Sequence, residues 1–151
     1  FAFRSGISMR RMSGDRFSLV LPFKRSNRNF YNAMAGAALL GNSEVAAGVF
    51  LFKHCGSDYA VVCKNMTYKF LRPCYGPAVY NVRDADSIET ELHSQMYEHK
   101  EFNIEFTMDI TQILRNRGKE VRVGRCDITF HCTPKSMIKE RAGQRKARNN
   151  T

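Results

Sequence analysis

Apolar residues recur along this chain at two periods, and the switches between them mark out its elements. Over residues 16–23 the period is two, with Phe17, Leu19, Leu21 and Phe23 alternating with Ser18, Val20 and Pro22. That is strand patterning, and Pro22 places it at a strand edge or end. A basic, Asn-rich loop follows over residues 24–32. Residues 33–53 then carry Ala, Met, Leu, Val and Phe on nearly every face, which predicts a helix buried on nearly every side. Gly36, Gly41 and Gly48 lower its intrinsic propensity, so tertiary contacts must hold it. After a turn at 56–58, residues 59–72 read as a long strand in which Met66, Tyr68 and Phe70 alternate with Thr67, Lys69 and Leu71. A break at 73–77 leads to a further strand at 78–83. Residues 84–100 predict a surface helix, with Ile88, Leu92 and Met96 at a spacing of four and Asp86 as its cap. The segments 102–110 and 120–132 alternate cleanly, and Arg117-Gly118-Lys119 between them is a hairpin signal.

Strands grouped around a helix, rather than alternating with helices, indicate an α+β domain with an antiparallel sheet. A chain of 151 residues suits one core, assigned to residues 1–134, followed by a basic tail at 135–151, mobile or a frayed helix. No apolar run approaches the roughly 18 residues needed to span a bilayer. The first residues are basic and lack the apolar stretch of a secretory signal.

Charge changes this picture at the ends. The net +10 divides into +6 over residues 1–28, −1 over 29–134 and +5 over 135–151, so a neutral core carries basic flanks. Such flanks either keep the protein in solution or meet an anionic partner: nucleic acid, a membrane surface or the phosphates of a bulky cofactor. A nucleic-acid module would carry its charge and aromatics on the folded surface, which disfavours that option. Cys55, Cys63, Cys74, Cys126 and Cys132 form no CxxC pair, a pattern expected of reduced thiols in a cytoplasmic protein. The four histidines form no metal-binding motif, so no metal is expected.

One window carries candidate chemistry: Asn29-Phe30-Tyr31-Asn32-Ala33-Met34-Ala35-Gly36-Ala37, with Glu44 seven residues beyond. Inside an apolar helix a buried carboxylate demands a partner or a raised pKa; otherwise Glu44 simply faces solvent. Asn42 and Ser43 are its nearest candidate partners.

This window resembles that of the hotdog-fold acyl-CoA thioesterases of the phenylacetate type, which read N-x-x-G-x-x-H-G-G with an acid seven positions on. Asn29, Gly36 and Glu44 match, whereas Asn32, Ala35 and Ala37 stand where that family has Gly, His and Gly. The phrase Tyr68-Lys69-Phe70-Leu71-Arg72-Pro73, followed by Gly76, is similar to the family's strand after the helix. Arg28-Asn29 and Ala35-Gly36-Ala37 resemble still more closely a thioesterase-like hotdog branch that lacks the His. The resemblance covers roughly residues 16–133 and implies a long helix wrapped by an antiparallel sheet.

It further implies hydrolysis of an acyl-CoA or acyl-carrier-protein thioester, coenzyme A entering only as part of the substrate. Glu44 would act as general base or nucleophile and Asn29 would position water or substrate, while the amides of Gly36 and Ala37 would stabilise the oxyanion. Asn32 would take over part of the missing His role; Met34, otherwise simply core, would line an acyl tunnel; and Arg72, Lys135 and Lys139, otherwise solvated surface charges, would meet coenzyme A phosphates. In this family the acid and the amides come from different subunits, so a homodimer is implied, often paired into a tetramer. Ala35 keeps open the alternative of a non-catalytic acyl-binding protein. Nucleic-acid binding through the basic ends is a third reading.

Overall fold

The computed structural model describes residues 2–11, 17–98, 100–113 and 120–149. A one-turn helix α1 (Ala2–Ser5) and a short strand β1 (Ser8–Arg11) precede β2 (Phe17–Leu21). The long helix α2 (Gly36–Cys55) comes next, then β3 (Tyr59–Phe70), β4 (Ala78–Val82), helix α3 (Ala85–Glu98), β5 (Phe102–Ile113), β6 (Glu120–Pro134) and helix α4 (Lys135–Asn149). The strands form one antiparallel sheet in the order β1-β2-β4-β5-β6-β3. The expected Arg117-Gly118-Lys119 turn lies outside the described residues.

Period-two patterning does what it promises in β5, where Phe102, Ile104, Phe106, Met108 and Ile110 point inward and are buried. On β6, Cys126, Ile128, Phe130 and Cys132 complete the same wall. Leu39, Ala46, Ala47 and Leu51 of α2 pack on it, and Leu92 of α3 closes one side. Gly56 ends α2 at φ 69°, a left-handed backbone that glycine adopts without a Cβ penalty, and its N–H bonds Phe52 O.

Four features depart from the sequence reading. The first is that α2 is not buried all round: Ala37, Glu44, Phe52 and Lys53 are exposed, because one sheet wraps only one side of the helix. Next, α3 starts at Ala85, with the Asp84 carbonyl accepting the N–H groups of Ser87 and Ile88, so Asp86 sits in the first turn and does not cap it. A third is that the basic tail, expected as mobile or as a frayed helix, takes the helical form through Asn149 and is tied down by Arg141, whose guanidinium donates to both oxygens of Glu101, just before β5, at 3.0 and 3.1 Å. Arg141 holds the Glu101 carboxyl below its usual range. Lastly, the N-terminal basic segment supplies β1, which pairs with β2.

Two bulges shape β3 and β6: Lys64 is extra on β3 opposite β6, and Val123 is extra on β6 opposite β5. The Val123 carbonyl accepts the N–H groups of Leu71 and Arg72, which fixes the chain as it leaves β3. No helix among the described residues is long and apolar enough to cross a membrane.

Candidate active site

The loop before α2 is held by its own polar side chains. Asn27, almost fully buried, donates through Nδ2 to Ser5 O and Pro22 O, while its carbonyl accepts the N–H of Ala35. Asn29 Oδ1 accepts the N–H groups of Tyr31 and Ala33 at 3.0 and 3.1 Å. That oxygen therefore organises the turn that delivers the helix start. Asn32 takes a left-handed backbone (φ 58°), and its Oδ1 accepts from Arg28 Nη1. Met34 is buried, with its N–H bonded to Cys74 O.

Helix α2 then begins without a side-chain cap, from an extended Ala35. The Ala35 carbonyl takes the N–H groups of Ala38 and Leu39. Those of Gly36 and Ala37 find no acceptor among the described residues, as expected for an uncapped first turn. Two free donors at the positive end of a helix can polarise a carbonyl. The ring of Phe70 roofs Gly36: a Cβ there would lie 3.1 Å from the ring edge. Phe70 in turn leans on Tyr68, ring centroids 4.5 Å apart. The Tyr68 hydroxyl is buried against Gly124 with no hydrogen-bond partner among the described residues, and burial raises its pKa.

Glu44 sits two turns further along α2 and is exposed. Asn42 and Ser43 do not partner it. At about 100° per residue they turn to the core as Glu44 turns outward, and there Asn42 bonds Ser5 and Ala38 O while Ser43 Oγ donates to Leu39 O. The side chain nearest in effect is Cys63 of β3, whose thiol is pushed up first by burial and then by the Glu44 carboxylate. Eight residues separate Glu44 from Gly36, about 12 Å along the helix. Within one chain the acid and the free amides cannot reach the same carbonyl.

The proposed phosphate contacts divide similarly. Arg72 follows the end of β3 beside the Gly36 roof and donates to Arg122 O. Lys135 and Lys139 open α4 beyond Pro134, which pairs with Tyr59 at the other end of β3. A strand of this length spans roughly 36 Å, so one chain cannot bring the two sets to one ligand. Sequence reasoning did not find Tyr68, Phe70 and Gly124 as a unit; the alternation along β3 marks the rings, but their glycine neighbour lies on another strand.

A cleft of about 770 Å³ lies elsewhere, between the C-terminal half of α2, β2, β4 and the start of α3. Leu19, Val49, Phe50 and Met108 give it apolar walls, and His54 and Glu89 stand among its polar ones.

A single antiparallel sheet wrapped on a long central helix is the hotdog fold, and solved structures share it. No family model matches the chain, and no curated protein matches it in sequence. A Pseudomonas aeruginosa protein of unknown function, named a probable thioesterase, matches with a TM-score of 0.67 at 23% identity over 89% of this chain and 88% of that one. A thioesterase family protein from Silicibacter pomeroyi matches with a TM-score of 0.64 at 14% identity over 88% of each chain. A Bacillus halodurans protein crystallised with CoA matches with a TM-score of 0.63 at 16% identity, over 87% of this chain and 76% of that one.

Proposed function

We propose that this chain hydrolyses acyl thioesters of coenzyme A or of an acyl carrier protein, as a homodimer. The observation that carries the reading is the placement of Glu44. It is an exposed acid on a largely apolar helix, about 12 Å from its own chain's free amides and near the edge strand of the sheet. That strand, β3, is the last of the sheet, bonded to β6 alone among the described residues, and it exposes Val62 and Phe70. A long strand with one edge free is a template for a second copy. Antiparallel pairing of two β3 edges would set one subunit's Glu44 toward the other's Gly36 and Ala37. The thioesterase names among the solved structures, and the CoA in one of them, agree with this chemistry.

In the reaction, Glu44 takes a proton from water as the water oxygen attacks the thioester carbonyl carbon. The amides of Gly36 and Ala37 hold the oxyanion, and collapse breaks the C–S bond. The proton passes to the departing thiolate, giving a carboxylic acid and a free thiol. Arg72 is the phosphate contact nearest the helix start. The test is thiol release from a panel of acyl-CoAs, in which Glu44→Gln is expected to lose about a hundredfold or more. Equal rates for the two proteins would refute the reading. One observation favours a second: Asn29 Oδ1 is occupied by Tyr31 and Ala33, and Ala35 replaces the His. A non-catalytic acyl carrier would bind acyl-CoA and release no thiol.

A further inference from the structure

Away from Glu44, helices α2 and α3 bring together three side chains that hydrolysis does not use. His54, in the last turn of α2, places Nδ1 at 3.2 Å from Glu89 Oε1 on α3. His93, one turn beyond Glu89, places Nε2 at 3.8 Å from the same oxygen. The ligand atoms of all three lie within 4.8 Å of one another.

We propose that His54, Glu89 and His93 form a site for a divalent first-row transition ion, with zinc as the probe. Two imidazoles and one carboxylate are the donor set such ions prefer, and hard cations such as Mg²⁺ favour all-oxygen sites. With bonds of about 2.0–2.1 Å, tetrahedral donors stand about 3.3 Å apart. Both distances to Glu89 Oε1, 3.2 and 3.8 Å, are close to that value. The remaining pair closes with a shift of no more than about 1.5 Å, which His93 can supply because its side chain is 56% exposed. His54 is the fixed member: its side chain is only 9% exposed and its ring packs on Phe50 at a centroid distance of 4.7 Å. A lone salt bridge would need one histidine; here two rings converge on one carboxylate oxygen.

The site also has a location that suits an open coordination position. His54 and Glu89 both line the 770 Å³ cleft, whose other walls are largely apolar. Three protein ligands leave a tetrahedral ion one place for water or a small anionic group. The inference is independent of thioester hydrolysis, since Glu44 lies ten residues earlier on α2.

Zinc titration of the full chain against a chromogenic chelator tests it, with cobalt absorption as a second readout. One ion per chain is expected. Glu89→Gln and His93→Gln, both at half-exposed positions that leave the fold intact by circular dichroism, should each weaken binding at least tenfold. The cobalt spectrum should change with either. Absence of saturable binding overturns the proposal. So does one-to-one binding that both variants leave within twofold, which would put the ion elsewhere.

Discussion

Replacing Gly124 by Ala tests how tightly the roof over the helix start is built. A Cβ at Gly124 would overlap the Tyr68 hydroxyl and approach Tyr68 Cε1 to 2.8 Å. Tyr68 cannot simply withdraw, because its hydroxyl is buried and the Phe70 ring leans on it from one side, tilted by 42°. Overpacking of this kind costs about 1–3 kcal/mol. Stiffening the unfolded chain returns about 0.4–1 kcal/mol, so a net loss of about 1 kcal/mol is expected. For a chain of this size that lowers Tm by about 2–4 °C. Tyr68→Phe alone should be neutral or stabilising, since it removes a buried hydroxyl that has no partner among the described residues. It also removes the atom most overlapped, so Gly124→Ala should cost about 1 kcal/mol less in the Tyr68→Phe background. Urea and thermal melts of the four proteins measure the cycle. A Gly124→Ala protein melting within a degree of the parent would refute the packing described for Tyr68.

Val62→Lys places a charge on the exposed edge of β3, and size-exclusion chromatography should then show a monomer where the parent elutes as a dimer; an unchanged dimer would mean that another surface pairs. Asn29→Ala leaves the N–H groups of Tyr31 and Ala33 without their acceptor, for an expected loss of about 1 kcal/mol in urea unfolding. Cys126 is pushed from an ordinary 9.0 up to about 11, chiefly by burial. The folded state thus keeps a proton that the unfolded chain releases, so stability is full below pH 9 and declines between 9 and about 11. Cys74 and Tyr80 are raised by burial as well and act in the same direction. Urea midpoints that stay flat over that range would contradict this.

How far the sequence spoke depends on where each partner lies. Strands β5 and β6 were legible because alternation is a property of one segment, and burial of Phe102 to Ile110 follows it residue by residue. The length of α2 was legible, and its exposed side was not. Patterning shows that a face is apolar but leaves open whether its cover comes from the same chain. Strand β1 escaped because Ser-Met-Arg-Arg is exposed throughout and has no apolar period. Asn42 and Ser43 looked like companions of Glu44 by adjacency, yet helical rotation separates them. The histidine cluster left only a weak trace, Glu89 and His93 one turn apart, since its third member comes from another helix.

The bond between Ser5 and Asn42 bears on where this domain can be cut. Asn42 is fully enclosed midway along the central helix, and its Oδ1 accepts from Ser5 Oγ at 2.8 Å. The hydrophobic pattern and the family resemblance both begin near residue 16, which invites a boundary there. A fragment trimmed to that point would take from the Asn42 amide oxygen its Ser5 donor, at about 1 kcal/mol. It would also take from Asn27 the Ser5 carbonyl that helps to aim the loop at the helix start. Two polar contacts thus tie Ser5 to the central helix and to the loop before it, and a cut near residue 16 would sever both.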